Sequence, residues 1–566
     1  MQGRNFKDIP YERPDYEEFA RKIEKCASEL GNAGSMDELS RILEDFFADE
    51  VHVWTMDILA VIRCYQDCTD KFYQEEMQYT QTHSAMTDLS PVYDALLQSP
   101  YRSEIDARYG RQFLRKMEKE RSLIKGGLEL MGREQELIAQ YQNMVSAMRF
   151  SYDGQEISAA ALTKYKESQD PLVRKNARAA SRKAFADKSG EFLQILQELV
   201  EVRGQIARAN GYRNYLEYAN TQKGRYSYGE EELAQLCRLV RRELVPLKRR
   251  LYERVMERLG LTAYTADDTG IYFEGGNPKP LGDAGFLLEQ AGQMYGQMDG
   301  DFSALFETMR AGGYFDCEKS DNKITGMGFC AQIFAEKLPF IFGNCTGRYS
   351  DIDVLVHEFG HAIQQKQSMD RFSVPAYWDM PNDLAEIPSK TMEQMSYEYA
   401  PLYFGEDAGQ FLEVHRITIL REFCSFCMTH EFEAYLYTAD TFEPQAAIRE
   451  YNRLTEIYDP GVDYSVCRDS MDAGSSLVQD MGVYMFPRYL ISYALSNASA
   501  VSIRLIYEAD RESGLALYKR LCEIGGSMEY NDAMKALGLP LPYTEEAVAS
   551  VRDYLAGKLG LTGGIA

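Results

Sequence analysis

The sequence predicts a mainly α-helical protein with one small β-sheet near the middle of the chain. Proline is scarce, with 18 among 566 residues. From about Tyr16 onward, long stretches repeat apolar residues at three- and four-residue steps, as in EFLQILQELVEVRGQIARANGY. β-Branched and aromatic residues gather between turn signals in one region, ITGMGFCAQIFAEKLPFIFGNCTG.

In chain order, we expect two regions with no flexible linker between them. A helical N-terminal region covers residues 1–200, and a second region covers 201–566. The second region is expected to hold three parts in order: the small sheet at about 314–346, a pair of helices at about 350–400 and a C-terminal helical lobe at about 405–560.

Charge and composition argue against several classes of function. With 87 acidic and 62 basic residues, the net charge is −25, which repels phosphate surfaces and argues against nucleic-acid or anionic-membrane binding. No window holds about 18 consecutive apolar residues, the length of a membrane span. The polar start MQGRNFKDIPYERPDYEEF lacks the pattern of a secretion signal, so we expect a cytoplasmic protein.

The 11 cysteines are expected to be mostly free, buried thiols, because their count is odd and the chain shows no secretion signal. Cys424 and Cys427 form a CxxC pair, but no second pair lies at zinc-finger spacing. We interpret them as small buried side chains on a helix.

The segment YSDIDVLVHEFGHAIQQ carries the strongest pattern in the chain. Ser350 is predicted to be a helix N-cap, with Asp353 three residues on as a variant of the capping box. His357 and His361 lie four residues apart, so on a helix their imidazoles share one face and can meet one ion. Only six histidines occur in the chain, and burying Glu358 between them without a partner would cost several kcal/mol. The motif predicts a metal site.

A third ligand has to come from further along the chain. The residues that extend HExxH in other enzymes are missing, since their positions hold Gln364, Gln367, Met380 and Pro381. The next glutamate on a helical pattern is Glu386, in NDLAEIPSKTMEQM, and we predict that it is the third ligand. Glu393 lies seven residues on and therefore on the same helix face. It either orients a histidine or is a solvated charge.

These residue types suit hydrolysis assisted by a metal ion. A catalytic zinc has three protein ligands and an open position for water. Zinc lowers the pKa of that water, and Glu358 is predicted to act as the general base that takes its proton. A nitrogen and oxygen ligand set also binds other divalent ions, so the residues leave zinc open against another metal.

HEFGH, followed by Glu386 in AEIPSKTMEQM, resembles the oligoendopeptidase F and thimet oligopeptidase family of zinc peptidases. The resemblance extends through PFIFGNCTGRYSDIDVLVHEFGHA, IARANGYRNYLEYANTQKGRY and PRYLISYALSNASA, from about Ile206 to the end. In its length and in the PFIFGN segment, the chain most resembles the shorter, oligoendopeptidase F-like branch of this family, which includes Pz peptidase.

The resemblance implies an ellipsoidal, two-lobed helical metallopeptidase with a deep central channel. It implies a zinc-dependent oligoendopeptidase that cuts internal bonds of short peptides and binds neither nucleic acid nor membranes. His357, His361 and Glu386 would hold one Zn²⁺ per chain, with Glu358 as the general base. The strand region would offer an edge to the substrate backbone. The oligomeric state is left unpredicted.

One departure from the family lies near the C-terminus. The family usually adds a histidine and neighbouring tyrosines that stabilise the oxyanion, but the last histidine here is His430. Tyr484, Tyr489 and Tyr493 remain; Tyr493 matches a family tyrosine best, and Leu490 stands where a second one often lies. We take Tyr493 and Tyr489 as candidate catalytic residues.

Two alternatives stay open. One is a zinc carboxypeptidase or dipeptidase with the same ligands on a helical fold. The other is a weakly active, zinc-retaining peptide-binding homologue, which the missing C-terminal histidine suggests.

Overall fold

The computed structural model describes residues 4–324, 327–439 and 441–562. These residues form a mainly helical fold with two small β-sheets, so the predicted fold class is confirmed. The helical period explains the packing. Helix α1 (Tyr16–Asn32), for example, buries Phe19, Ile23 and Leu30 along one face.

The first ten helices make up most of the N-terminal part of the chain. After α1 they are α2 (Met36–Gln66), α3 (Lys71–Ala85), α4 (Ser90–Leu97), α5 (Arg102–Tyr109), α6 (Arg111–Leu123), α7 (Leu128–Ala147), α8 (Ala159–Lys166), α9 (Pro171–Asp187) and α10 (Ser189–Ala209). The predicted boundary at residue 200 falls inside α10 and remains a prediction.

A short hairpin between α7 and α8 was not predicted. Strands β1 (Phe150–Tyr152) and β2 (Gln155–Ile157) pair in antiparallel fashion across Asp153 and Gly154, which both have positive φ, 51° and 73°. An Asp-Gly pair suits this type of tight turn. The expectation of a single sheet was therefore wrong, and the Asp-Gly pair was the signal that was missed.

Five helices lead to the predicted sheet: α11 (Tyr215–Gln222), α12 (Glu230–Glu243), α13 (Val245–Arg258), α14 (Ala284–Met298) and α15 (Gly300–Ala311). The sheet contains β3 (Phe315–Asp316), β4 (Phe329–Ile333) and β5 (Leu338–Phe342) in the order β3-β5-β4. Strand β5 is buried along its whole length, whereas β4 lies at the edge. The predicted strand region also includes residues 325–326, which lie outside the described residues.

The C-terminal half is helical again. Its helices are α16 (Ser350–Arg371), α17 (Asn382–Met395), α18 (Ala400–Phe404), α19 (Ala408–Thr438), α20 (Pro444–Tyr458), α21 (Arg468–Asp472), α22 (Met481–Met485), α23 (Ile491–Ala509), α24 (Arg511–Cys522), α25 (Tyr530–Leu537) and α26 (Glu545–Lys558). Helix α17 is buried along nearly its whole length, between α16 and α23.

The predicted cap of α16 was wrong. Ser350 is the first helical residue, and Tyr349 holds the cap position without a side-chain hydrogen bond. Instead, one oxygen of Asp351 accepts the backbone N–H groups of Thr346, Gly347 and Arg348 at 2.7–3.0 Å. A carboxylate accepts several donors better than a hydroxyl does, so Asp351 organises the loop before the helix.

Two further expectations concern composition. All 11 cysteines are free, and eight are buried, Cys424 and Cys427 among them, as predicted. In the described ranges, no helix is both long and apolar enough to cross a bilayer.

Candidate active site

Helices α16 and α17 bring three ligand atoms to one point. Nε2 of His357 lies 3.2 Å from Nε2 of His361, and each of these nitrogens lies 3.3 Å from Oε2 of Glu386. Ligands about 2.0–2.1 Å from one ion in tetrahedral geometry stand about 3.3–3.4 Å from each other. The three residues that the sequence singled out therefore fit a single tetrahedral ion.

Gly360 makes this convergence possible. A Cβ atom at Gly360 would lie 2.6 Å from Cα of Ser389 and 2.8 Å from the carbonyl oxygen of Pro388. Any larger residue would push α17 away from α16. The glycine of HEFGH thus lets the helix that carries Glu386 approach the helix that carries the two histidines.

Glu393 holds the outer nitrogen of His357. Its Oε1 lies 2.6 Å from Nδ1 of His357, so that nitrogen carries the proton and Nε2 is free to bind a metal. Glu393 is only 5% exposed. Of the two roles that the sequence left open, orientation of a histidine is the one that fits this contact, because a buried carboxylate is not a solvated charge.

A buried polar network continues behind Glu393. His415 on α19 donates Nε2–H to Glu393 at 3.0 Å, and Lys390 lies 3.2 Å from the same carboxylate. Lys390 also lies 3.0 Å from Glu422. Burial opposes the charge on Glu393, but Lys390 and the histidines hold the pKa of Glu393 well below its usual range. Sequence reasoning missed His415, which looks like a core histidine on its helix.

Glu358 lies on α16 between the metal ligands and the edge strand β4. It is 7% exposed, and burial raises the pKa of its carboxyl group above the ordinary value. The backbone N–H of Cys330 in β4 opposes that rise in pKa, so the Glu358 carboxyl group lies close to the edge strand.

The tyrosines of the C-terminal segment divide into two groups. The Tyr489 hydroxyl donates to Oε1 of Glu386, the second oxygen of the predicted ligand. The Tyr493 ring packs edge-to-face on Tyr489, with centroids 5.5 Å apart, and its centroid lies 6.2 Å from that of His357. Tyr484 is fully buried and donates to the carbonyl oxygen of Phe192, so it lies outside the site.

Arg488 fixes the segment that carries these tyrosines. It is fully buried and has a φ of 64°, an unfavourable region for a residue with a side chain. Its backbone N–H donates to both oxygens of Glu433 at 3.0 Å, and its carbonyl accepts from Arg225 at 2.8 Å. His430, the last histidine, lies against the Arg488 guanidinium at 3.1 Å and does not reach the site.

A cavity of about 510 Å³ runs along β4. Its walls come from α2, α7, β4 and the segment after α22, with Gln365 of α16 beside them. Most of the lining is apolar or carries side-chain amides. The cavity thus lies between the N-terminal helices and the strand next to Glu358.

A helical fold whose HExxH helix and a downstream helix converge on one ion position has the features of a metallopeptidase. Comparison with known proteins agrees. Residues 301–552 match peptidase family M3, and residues 6–124 match the peptidase M3 N-terminal domain. The chain belongs to peptidase family M3, a metallopeptidase family.

Solved structures of similar fold cover nearly the whole chain. Pz peptidase A, solved with an inhibitor, shares 27% identity over 99% of both chains, with a TM-score of 0.93. A protein provisionally named oligoendopeptidase F shares 28% identity over 99% of both chains, also with a TM-score of 0.93. Another of that provisional name, from Bacillus anthracis str. Ames, shares 26% over 100% of this chain and 99% of its own, with a TM-score of 0.89.

These comparisons confirm the resemblance that the motifs predicted. They support a peptidase. No curated protein sequence matches the chain.

Proposed function

We propose that this chain is a zinc-dependent oligoendopeptidase that hydrolyses internal bonds of short peptides. The observation that carries the proposal is the triangle of ligand atoms, with edges of 3.2–3.3 Å, formed by His357, His361 and Glu386. Two imidazoles and one carboxylate are a donor set that suits catalytic zinc. When bound, zinc would polarise the scissile carbonyl and lower the pKa of water.

Glu358 is the proposed general base. Because burial raises the pKa of this carboxyl group, it holds a proton more readily than an exposed glutamate does. It would take a proton from the attacking water and deliver it to the leaving amine. Glu393 keeps the proton on Nδ1 of His357 during this exchange.

The two candidate tyrosines have different proposed roles. Tyr489 already donates to Glu386, so it positions the ligand carboxylate. Tyr493 lies beside the His357 ring and is the proposed donor to the oxyanion. The absence of a histidine from this segment leaves a smaller set of donors than the family usually has.

The substrate is proposed to pair with the edge of β4. Among the described residues, β4 pairs with a strand on one side only, and Cys330 of this strand lies close to Glu358. A peptide added to such an edge forms backbone hydrogen bonds that do not depend on its sequence. The adjoining cavity of about 510 Å³ accommodates a short, extended segment rather than a folded protein.

Both alternatives can be weighed against particular residues. A carboxypeptidase needs a cation for the terminal carboxylate, and the described residues that line the cavity include no lysine or arginine. That observation favours internal cleavage. The second alternative, a weakly active peptide-binding homologue, is favoured by the position of His430, which contacts Arg488. Cytoplasmic location remains a prediction from the sequence.

Replacing the proposed base tests the mechanism. Glu358→Gln is expected to keep zinc and lower cleavage of a peptide by about a hundred- to ten thousandfold, because the metal ligands stay and the proton acceptor is lost. Zinc content by mass spectrometry and cleavage of an internally quenched peptide are the two readouts. Glu546→Gln on the exposed surface of α26 is the matched control. A Glu358→Gln protein of full activity would refute the mechanism.

A further inference from the structure

The cavity along β4 has one charged wall residue among those described. Asp379 lies in the loop between α16 and α17 and is exposed on the wall of the cavity. It also lines an adjoining cavity of about 580 Å³ that faces α2 and α3. The other described lining residues of the first cavity are uncharged.

A buried amide holds Asp379 in place. Gln332 in β4 is 5% exposed and donates its amide Nε2–H to Oδ1 of Asp379 at 2.5 Å. The reverse amide orientation would set oxygen against carboxylate, so the assignment is clear. Oε1 of Gln332 is itself buried and has no hydrogen-bond partner among the described residues, so Gln332 acts on the cavity through the carboxylate that it orients.

No lysine or arginine among the described residues forms an ion pair with Asp379. Burial raises the pKa of Asp379, and the charge of Lys116 opposes that rise, but the Lys116 ammonium donates to the carbonyl oxygen of Ala376 at 2.6 Å. The Asp379 carboxylate thus faces the cavity without an ion pair among the described residues, and the Gln332 amide orients it. An ammonium or guanidinium group, which has several donors and a positive charge, matches this carboxylate.

The position relative to the cut follows from the strand. Cys330 lies close to Glu358, and Gln332 lies two residues further along β4. Two residues of a strand span about 6.6 Å and direct their side chains to the same face. A peptide paired antiparallel to β4, the more stable arrangement, places the residue opposite Gln332 on the N-terminal side of the bond near Glu358.

We propose that Asp379 and Gln332 form a subsite for a cationic group of the substrate, N-terminal to the bond that is cut. This inference rests on the proposed function, which it deepens by naming a substrate class. The cationic group is a lysine or arginine side chain, or the free α-amino group of a short peptide. In either case the carboxylate of Asp379 supplies the charge and the acceptor oxygens, and Gln332 orients that carboxylate.

Binding to the zinc-loaded Glu358→Gln protein tests the subsite without turnover. The ligands are fluorescent peptides that are blocked at both ends. In each peptide, one position around the bond that the wild type cuts carries lysine, norleucine or glutamate, and every position is varied in turn. At one position on the N-terminal side, lysine is expected to lower Kd about ten- to a hundredfold relative to norleucine, and glutamate to raise it. An unblocked and an N-acetylated peptide, compared in the same way, separate the α-amino group from the side chain.

The variant Asp379→Asn, made in the Glu358→Gln protein, is expected to remove the preference for lysine while norleucine peptides bind as before. Asp370→Asn, at the exposed end of α16, is the matched control and keeps the preference. Equal binding of lysine and norleucine, a preference that survives Asp379→Asn, or a preference only on the C-terminal side would overturn the proposal. If the wild type cuts none of the peptides but one position of the peptide still shows the Asp379-dependent preference for lysine, the proposed function fails and the binding of a cationic group at Asp379 stands.

Discussion

The two sides of the candidate site are built in different ways. On the metal side, two helices packed at Gly360 carry all three proposed ligands, and the buried network around Glu393 contacts His357 from behind. On the tyrosine side, Tyr489 and Tyr493 follow Arg488, a residue with a φ of 64° that is held by long-range contacts.

This difference between the two sides shows which contacts a local sequence pattern can predict. Ligands on one helix face follow from the period of the helix, whereas the direction of the tyrosines depends on Glu433 and Arg225, far away in the sequence. The metal side is expected to tolerate little change in geometry. The tyrosine side is expected to set the rate and to leave the metal in place.

The largest effect that separates the two sides is expected at Tyr493. Tyr493→Phe should lower kcat about a hundred- to a thousandfold, because one donor to the oxyanion is lost, while zinc stays bound. Steady-state kinetics with zinc analysis is the measurement. Tyr484→Phe is the control: it loses a buried hydrogen bond to Phe192 and about 1 kcal/mol of stability, with kcat unchanged. An unchanged kcat in Tyr493→Phe would remove the proposed role.

On the metal side, Glu393→Gln should weaken zinc affinity about ten- to a hundredfold, since the carboxylate that orients His357 is replaced by a neutral amide. Competition with a chromophoric chelator measures the affinity. Glu422→Gln is the comparison. Glu422 belongs to the same network but contacts Glu393 only through Lys390, so its substitution should have a smaller effect on zinc affinity. Equal affinities in wild type and Glu393→Gln would show that the network does not support the ligand.

The close helix contact gives a third prediction. Gly360→Ala should destabilise the fold by about 1–3 kcal/mol, because its Cβ would overlap Ser389 and Pro388. Chemical denaturation followed by circular dichroism reports the stability. Gly409→Ala, where an added Cβ meets nothing within 4 Å, is the control. A Gly360→Ala protein as stable as the control would contradict the account of this contact.

The smallest effect concerns the start of α16. Ser350→Ala should change stability by less than about 0.5 kcal/mol, because Ser350 is not the cap. Asp351→Asn should cost about 1–2 kcal/mol, since it weakens three hydrogen bonds to backbone N–H groups. The same denaturation measurement compares the two. A larger loss of stability in Ser350→Ala than in Asp351→Asn would show that Ser350 is the cap, as the sequence predicted.

Much of this architecture was readable in the sequence. The helical period predicted the fold class, and the spacing of His357, His361 and Glu386 predicted residues that the structure brings together. The hairpin at Asp153 was missed because its strands are three residues long, too short for an alternation signal.

Other features could not be read from local patterns. The contacts of His415 with Glu393 and of Gln332 with Asp379 join residues 22 and 47 positions apart. No periodicity reports such pairs, because they arise from the packing of separate elements. The same holds for Tyr489, whose contact with Glu386 spans 103 positions.

The most direct test of the central claim is the zinc dependence of internal cleavage. An internally quenched peptide, blocked at both ends, is incubated with the protein before and after chelation and again after zinc is restored. We predict cleavage with one zinc per chain, loss of cleavage on chelation and recovery with zinc. Cleavage that continues after the metal has been removed, or none by the zinc-loaded protein across a varied peptide set, would contradict the account.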